Sequence, residues 1–225
     1  MKDIKIVGTL IAGTGWKDYI DTWLEKMSKA CDEIVVVDNS DREVTEKLMK
    51  HPKVYYVLHQ KRNTRHGGED YSTLVSLAKT RGADWILNID IDEEIDDNCT
   101  KEKLVELINS NYCDSFAFEL YEMIDDDQHW LVHRTVHKLY KISEEMKFHM
   151  SPHSSAIPVN IKPGAHSGLY IKHFGHLNFT LREHKRKVYF GEHPEYLDKK
   201  ELESAFYNEE YIKNNKKEWK GRLNE

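Results

Sequence analysis

The stretch from Trp85 to Asp97, WILNIDIDEEIDD, joins an apolar half to one in which six of the eight residues from Asp90 to Asp97 are acidic. Carboxylates this crowded repel one another unless they face solvent or share a cation. If the strand runs on through Asp90-Ile91-Asp92, its period of two sends Asp90 and Asp92 to one side and returns Ile91 to the core, so both acids face one ion. Hard oxygen donors select Mn2+ or Mg2+, and magnesium is commonly held by one or two protein carboxylates together with substrate phosphates. Asp96 and Asp97 are expected to open a following helix, where acids favour the amino end. Glu93 and Glu94 take no role. A calcium loop of the EF-hand type finds little support, because glycine is missing at its sixth position and Ile91 and Ile95 interrupt the oxygen pattern.

Histidine is the second source of chemistry: eight of the thirteen histidines lie between His133 and His184. An imidazole titrates near pH 6.5, roughly where a general base should, and His153 sits in a segment rich in proline. The acidic run Asp125-Asp126-Asp127 offers a carboxylate alternative, with Asp126 at its centre. Trp130, His133, Arg134 and His137 could stack on or clamp a second substrate, or pack as core and surface residues. Cys31, Cys99 and Cys113 are odd in number and lack a C-x-x-C spacing, so buried free thiols are expected rather than disulfides or a thiolate metal site.

These residues need a scaffold. Apolar β-rich runs at Ile4–Ile11, Glu33–Asp38, Val54–Leu58 and Trp85–Ile89 alternate with helical patterns at Lys17–Cys31, Val44–Met49 and Tyr71–Thr80. That alternation predicts a doubly wound α/β sheet, whose ligands settle beyond the carboxyl ends of the strands; Asp38 and Asp90 both stand at such ends. After Thr100 the pattern predicts a helix at Lys101–Ser110, strands near Ser115–Tyr121 and Thr135–Ile142, an irregular segment over Ser151–Gly168, and a strand at Leu169–Phe174, in a mixed or antiparallel half. The last stretch, 198–225, reads as a solvated helix docked through Leu202, Phe206 and Tyr207. With 225 residues, 39% of them hydrophobic, one substantial core is expected. The net charge of −6 speaks against a nucleic-acid partner. No apolar run is long enough to span a bilayer, and the start reads as a strand rather than a leader, so a soluble cytoplasmic protein is expected.

The order EIVVVDNS, an α/β unit, then GADWILNIDIDEEI resembles the amino-terminal half of family-two glycosyltransferases of the GT-A fold, which use nucleotide-sugar donors. The resemblance is close over residues 4–97 and looser to Pro194. It implies a GT-A-like domain over 1–197, with a nucleotide-binding half (1–97) and an acceptor half (98–197), followed by the tail. It also implies that Asp38, with Asn39 beside it, binds the nucleotide, and that Asp90 and Asp92 form the Asp-x-Asp motif. Asp92 is then the direct metal ligand, Asp90 lies nearer the ribose, and Thr9 adds a nucleotide contact. The later run LYIKHFGH resembles a segment in which a histidine completes the metal site, matched here by His173, with His176 close by.

Two departures stand out. Gly68–Leu74 reads GEDYSTL, without the family's Arg-Asn pair, so the pyrophosphate contacts fall to Lys61, Arg62 and Arg65. The family's His-Glu is replaced by His153-Ser154. The implied activity is a metal-dependent, inverting transfer of a hexosyl group, from UDP as the family's common carrier, to a glycan or other hydroxyl acceptor. A sugar nucleotidyltransferase, suggested by LIAGTGW, and an inactive nucleotide-sugar binding module are the rival readings.

Overall fold

The computed structural model describes residues 3–59, 67–148, 158–162, 164–183 and 208–220. The chain folds as two compact units: Met1–Phe118 with Thr135–Leu169, and Glu119–Arg134 with Tyr170–Glu225. The divisions fall after Phe118, Arg134 and Leu169, each inside a strand.

In the first unit, β1 (Ile6–Ala12), β2 (Glu33–Asp38), β3 (Val54–His59) and β4 (Trp85–Asn88) form a parallel sheet in the order β3-β2-β1-β4. The connecting helices are α1 (Ile20–Ala30), α2 (Arg42–Lys50) and α3 (Gly67–Thr80). Strands β1 and β2 are buried over most of their length, as strands covered on both faces must be. Val7, Val35, Val37 and Ile86 pack with Leu74, Val75 and Ala78 of α3. Gly8 and Ile34 turn the other way, toward α1. A Cβ on Gly8 would lie 2.8 Å from Met27 Cε, the flexible end of that side chain, which would have to shift to admit it. The helical stripe of α1 buries Ile20, Trp23, Leu24, Met27 and Ala30.

The sheet then becomes mixed. After β5 (Glu93–Ile95) and α4 (Lys101–Ser110) come β6 (Ser115–Met123), β7 (His129–Lys141) and β8 (Ala165–His173). The end of β7 pairs antiparallel with β4, Leu87 opposite Leu139, and the sheet continues β7-β6-β8-β5. Three expectations are corrected. Trp85–Ile89 stops one residue short, and the acids after it form a turn and then β5 rather than the start of a helix. Strand β7 starts at His129 rather than Thr135. Strand β8 begins at Ala165, so the irregular segment ends before Gly168, which takes a positive φ of 67° within the strand.

In the second unit, α5 (Glu209–Asn215) buries Ile212 against Ile124, Leu131 and Val132. Asn208 caps it by accepting from Tyr211 N–H at 3.0 Å. The following β9 (Lys217–Glu218) pairs antiparallel with β7 at His129 and Trp130. Trp219 then meets the rings of Tyr121 and Tyr170, each 4.8 Å between centroids. This end of the chain docks by a short helix and an added strand; Leu202, Phe206 and Tyr207 lie outside the described residues.

Cys31 and Cys99 are buried free thiols, and Cys113 is half-buried. Burial pushes the Cys31 thiol well up and that of Cys99 up to about 12, so neither is a nucleophile. Among the described residues no helix is long and apolar enough to cross a membrane.

Candidate functional site

At the carboxyl end of β2 the Asp38 side chain is fully buried. Its Oδ1 accepts from Ser40 N–H at 2.9 Å and from the Ser40 hydroxyl; its Oδ2 accepts from Thr45 Oγ1 at 2.6 Å and faces His59 Nδ1 at 3.2 Å. Burial pushes this carboxyl up, but the bonds from Ser40 and Thr45 outweigh it and hold it below the ordinary aspartate value. Asn39 fixes the exit of the strand by donating its N–H to Ala12 O at 2.8 Å, and its buried Oδ1 has no partner among the described residues. His59, opposite Asp38 on β3, is the exposed member of the group, its side chain 47% accessible.

Thr9 is a buried mid-strand residue of β1, which runs on to Ala12. It faces Asn88 across the β1–β4 register and donates its hydroxyl to Asn88 Oδ1 at 3.0 Å.

The acidic motif folds differently from an extended strand. Glu93 N–H donates to Asp90 O and Asp90 N–H to Glu93 Oε2, each at 3.0 Å, closing a turn over Asp90–Glu93. Alternation therefore does not set the two aspartates: Asp90 is 41% accessible, whereas Asp92 is buried. Ile89 and Ile91 are both in the core. Lys138 of β7 reaches into the turn, its Nζ 2.7 Å from Glu93 Oε2 and 3.3 Å from Asp90 Oδ2. Burial pulls the Lys138 ammonium toward neutrality, but Asp90 and Glu93 beside it hold it above the ordinary lysine value. Burial first, and then Asp92, raises the Tyr19 phenol at the start of α1.

Asp96 does not open a helix. Its Oδ1 accepts from Asn98 N–H at 2.9 Å in a local turn, and α4 is instead capped by Thr100, whose hydroxyl accepts from Lys103 N–H at 3.3 Å. Asp97 and Glu94 both pair with Lys26 of α1, Glu94 at 3.3 Å.

The all-carboxylate donors Asp90 and Asp92 fit a hard divalent ion. Among the described residues the Lys138 ammonium pairs with Asp90 and Glu93 of this turn, and Asp90 is its exposed acid.

In the second unit the Glu122 carboxylate of β6 is nearly inaccessible and gathers basic groups. Its Oε1 accepts from Arg134 Nη2 at 2.7 Å, while its Oε2 lies 2.5 Å from His173 Nδ1 and 3.4 Å from His176 Nδ1. Burial raises the Glu122 carboxyl, but His173 and His176 overcome it and hold the group well below the ordinary glutamate range. Among the described residues this trio forms a three-ligand group of metal-binding type, with donor atoms within 4.8 Å of one another.

Asp126 is exposed in the β6–β7 turn, accepting from Gln128 N–H at 2.8 Å and pairing with His129 Nδ1 at 2.8 Å. His133 stacks on Tyr121 at 4.6 Å and pairs with Glu119, and His137 lies 3.0 Å from Ser115 Oγ. Trp130 meets Tyr121 edge-on at 5.2 Å. His153, Lys61, Arg62 and Arg65 lie outside the described residues.

Sequence reading missed Lys138 and Glu122. Lys138 carries no local signal, since its partners are 45 or more positions away in the chain. Glu122 had one: it is an acid in line at every second position with Phe116, Phe118 and Leu120, on the apolar face of its strand.

The parallel sheet turns mixed, with Asp38 ending β2 and the Asp90 turn following β4; open α/β sheets take ligands beyond the carboxyl ends of their strands. The description "Glycosyl transferase family 2" matches residues 17–172, and the chain belongs to this family; the mixed sheet flanked by helices is its GT-A type of fold. Solved structures are similar at low identity. One of S. aureus TarS is 19% identical with a TM-score of 0.43, over 54% of this chain and 21% of that one. TarS 1–349 in complex with UDP is 17% identical with a TM-score of 0.45, over 57% and 41%. Mannose-1-phosphate geranyltransferase from Thermus thermophilus is 13% identical with a TM-score of 0.37, over 62% and 51%. The match thus spans between about a fifth and half of the length of these proteins. No curated protein matches the chain.

Proposed function

We propose that the chain transfers a sugar from a nucleoside-diphosphate donor, UDP foremost, to an acceptor hydroxyl with inversion. The observation that carries this reading is the pair of acidic strand ends in a family-two chain: buried, ionised Asp38 after β2 and the Asp90–Asp92–Glu93 turn after β4. Asp38, Asn39 and the exposed His59 face the nucleoside. Asp92, with Asp90, would hold Mn2+ or Mg2+, which when bound neutralises the leaving diphosphate. Lys138 fixes the turn that presents these acids, its ammonium 2.7 Å from Glu93 Oε2 and 3.3 Å from Asp90 Oδ2. Lys61, Arg62 and Arg65 are assigned to the pyrophosphate in place of the absent Arg-Asn pair.

In the transfer the acceptor oxygen bonds to the anomeric carbon, the bond to the diphosphate breaks, and a base takes the hydroxyl proton. His153 and Asp126 are its candidates. In His153→Ala, loss of transfer with donor affinity retained identifies the base; unchanged transfer moves the role to Asp126.

Incubation of a nucleotide-sugar panel with Mn2+ should release nucleoside diphosphate. Asp92→Ala should lower that release about a hundredfold or more, as loss of a group acting on the leaving charge does. An unchanged rate in Asp92→Ala would sink the metal assignment. Thermal stabilisation by a donor with no turnover on any acceptor would favour the binding module, and pyrophosphate release from a sugar phosphate with a nucleoside triphosphate would favour the nucleotidyltransferase.

A further inference from the structure

We propose that Glu122, His173 and His176 form a site for a late first-row divalent ion of the zinc type, its ligands drawn from the second unit alone. The site goes beyond the transfer reading and does not depend on it. Strand β8 ends on His173, and a turn closed by Leu177 N–H donating to Phe174 O at 3.0 Å brings His176 back beside it. Phe174 is buried and anchors this turn, while Arg182 Nη1 donates to His176 O at 3.3 Å and pins its backbone. The two imidazoles stand nearly perpendicular, 6.1 Å between centroids, and both aim Nδ1 at the same oxygen of Glu122.

Arg134 occupies the other oxygen, so the carboxylate is oriented and presents Oε2 as a single ligand atom. Tetrahedral bonds of roughly 2.0–2.1 Å put neighbouring ligand atoms about 3.3 Å apart. The Glu122–His176 separation of 3.4 Å already has that value. The Glu122–His173 separation of 2.5 Å is that of a close hydrogen bond, and it must open by roughly 1 Å for the two atoms to hold one tetrahedral ion. Two nitrogens and one oxygen suit zinc, cobalt or nickel, whereas the all-oxygen donors of the acidic turn suit magnesium or manganese. Three protein ligands leave a fourth position for water or an anion.

Titration of untagged full-length protein with Co2+, followed by visible absorption and displaced by Zn2+, tests this. One equivalent should give tetrahedral Co2+ bands. His176→Ala and Glu122→Gln, checked by circular dichroism for retained fold, should each weaken binding tenfold or more, and Asp92→Ala should leave the bands unchanged. The proposal is overturned if wild-type protein binds no stoichiometric Co2+, or if the bands persist undiminished in His176→Ala. It is also overturned if Asp92→Ala abolishes them, which would move His173 to the acidic turn. Donor hydrolysis with Mn2+ reads the transfer function separately, so either idea can fail alone.

Discussion

Glu33 shows how a single side chain ties the ends of several elements together. Its carboxylate takes Arg81 through Nε at 2.7 Å and Nη2 at 3.0 Å, and Lys5 Nζ at 2.8 Å, while the Arg81 guanidinium lies 3.2 Å over the Tyr55 ring. The hydrogen bonds from Arg81 first, and then from Lys5, outweigh burial and lower the Glu33 carboxyl from 4.5 to about 2. A carboxyl depressed in the folded state stabilises above its unfolded value and loses that contribution as pH falls through its folded value. The stability gap between wild type and Glu33→Gln should therefore be full above pH 4.5 and close between pH 4.5 and 2, as read by urea unfolding across that range. Constant separation over the window would show that the pair is held by packing rather than charge.

The same scale explains what was legible at the site. The acids at 90 and 92 announce themselves by crowding. Lys138, which pairs with Asp90 and Glu93, is invisible locally because a lysine in a strand is ordinary until its neighbours are known.

At the scale of elements, most helices and strands follow from periodicity, and α4 at Lys101–Ser110 is legible to the residue because Thr100 caps it. The errors cluster where a short element is defined by its partner. β5 has only three residues, Glu93–Ile95, and sits at the end of the sheet beside β8; two of the three are glutamates, which are depleted in strands. Gly164 precedes β8 and marks a close approach: an added Cβ would stand 2.1 Å from Ser115 O and 2.3 Å from Ser115 Oγ. Gly164→Ala should lower stability by about 1–3 kcal/mol, the scale of an overpacked site, measured by thermal or denaturant unfolding. Adding Ser115→Ala should not restore it, because the backbone carbonyl remains in the way.

At the scale of the molecule, the division into two units predicts where local damage is felt. Ile212→Ala removes the buried side chain by which α5 covers Ile124, Leu131 and Val132, and should cost about 2–5 kcal/mol within the second unit. Hydrogen exchange should accelerate over 119–134 and 208–220, with protection in β1 and β2 preserved; equal loss in both regions would mean that the two units unfold as one.

Family, sheet class and the residues of the acidic motif were determined by the sequence alone, because hydrophobic period, turn residues and crowded charge are properties of neighbours along the chain. The turn that replaces an extended Asp90-Ile91-Asp92, the ammonium of Lys138 within it, the closure around Asp38 and the convergence of Glu122, His173 and His176 were decided only by tertiary structure. Each joins groups from separate elements, and the free energy of burying a charge depends on partners that only the fold supplies.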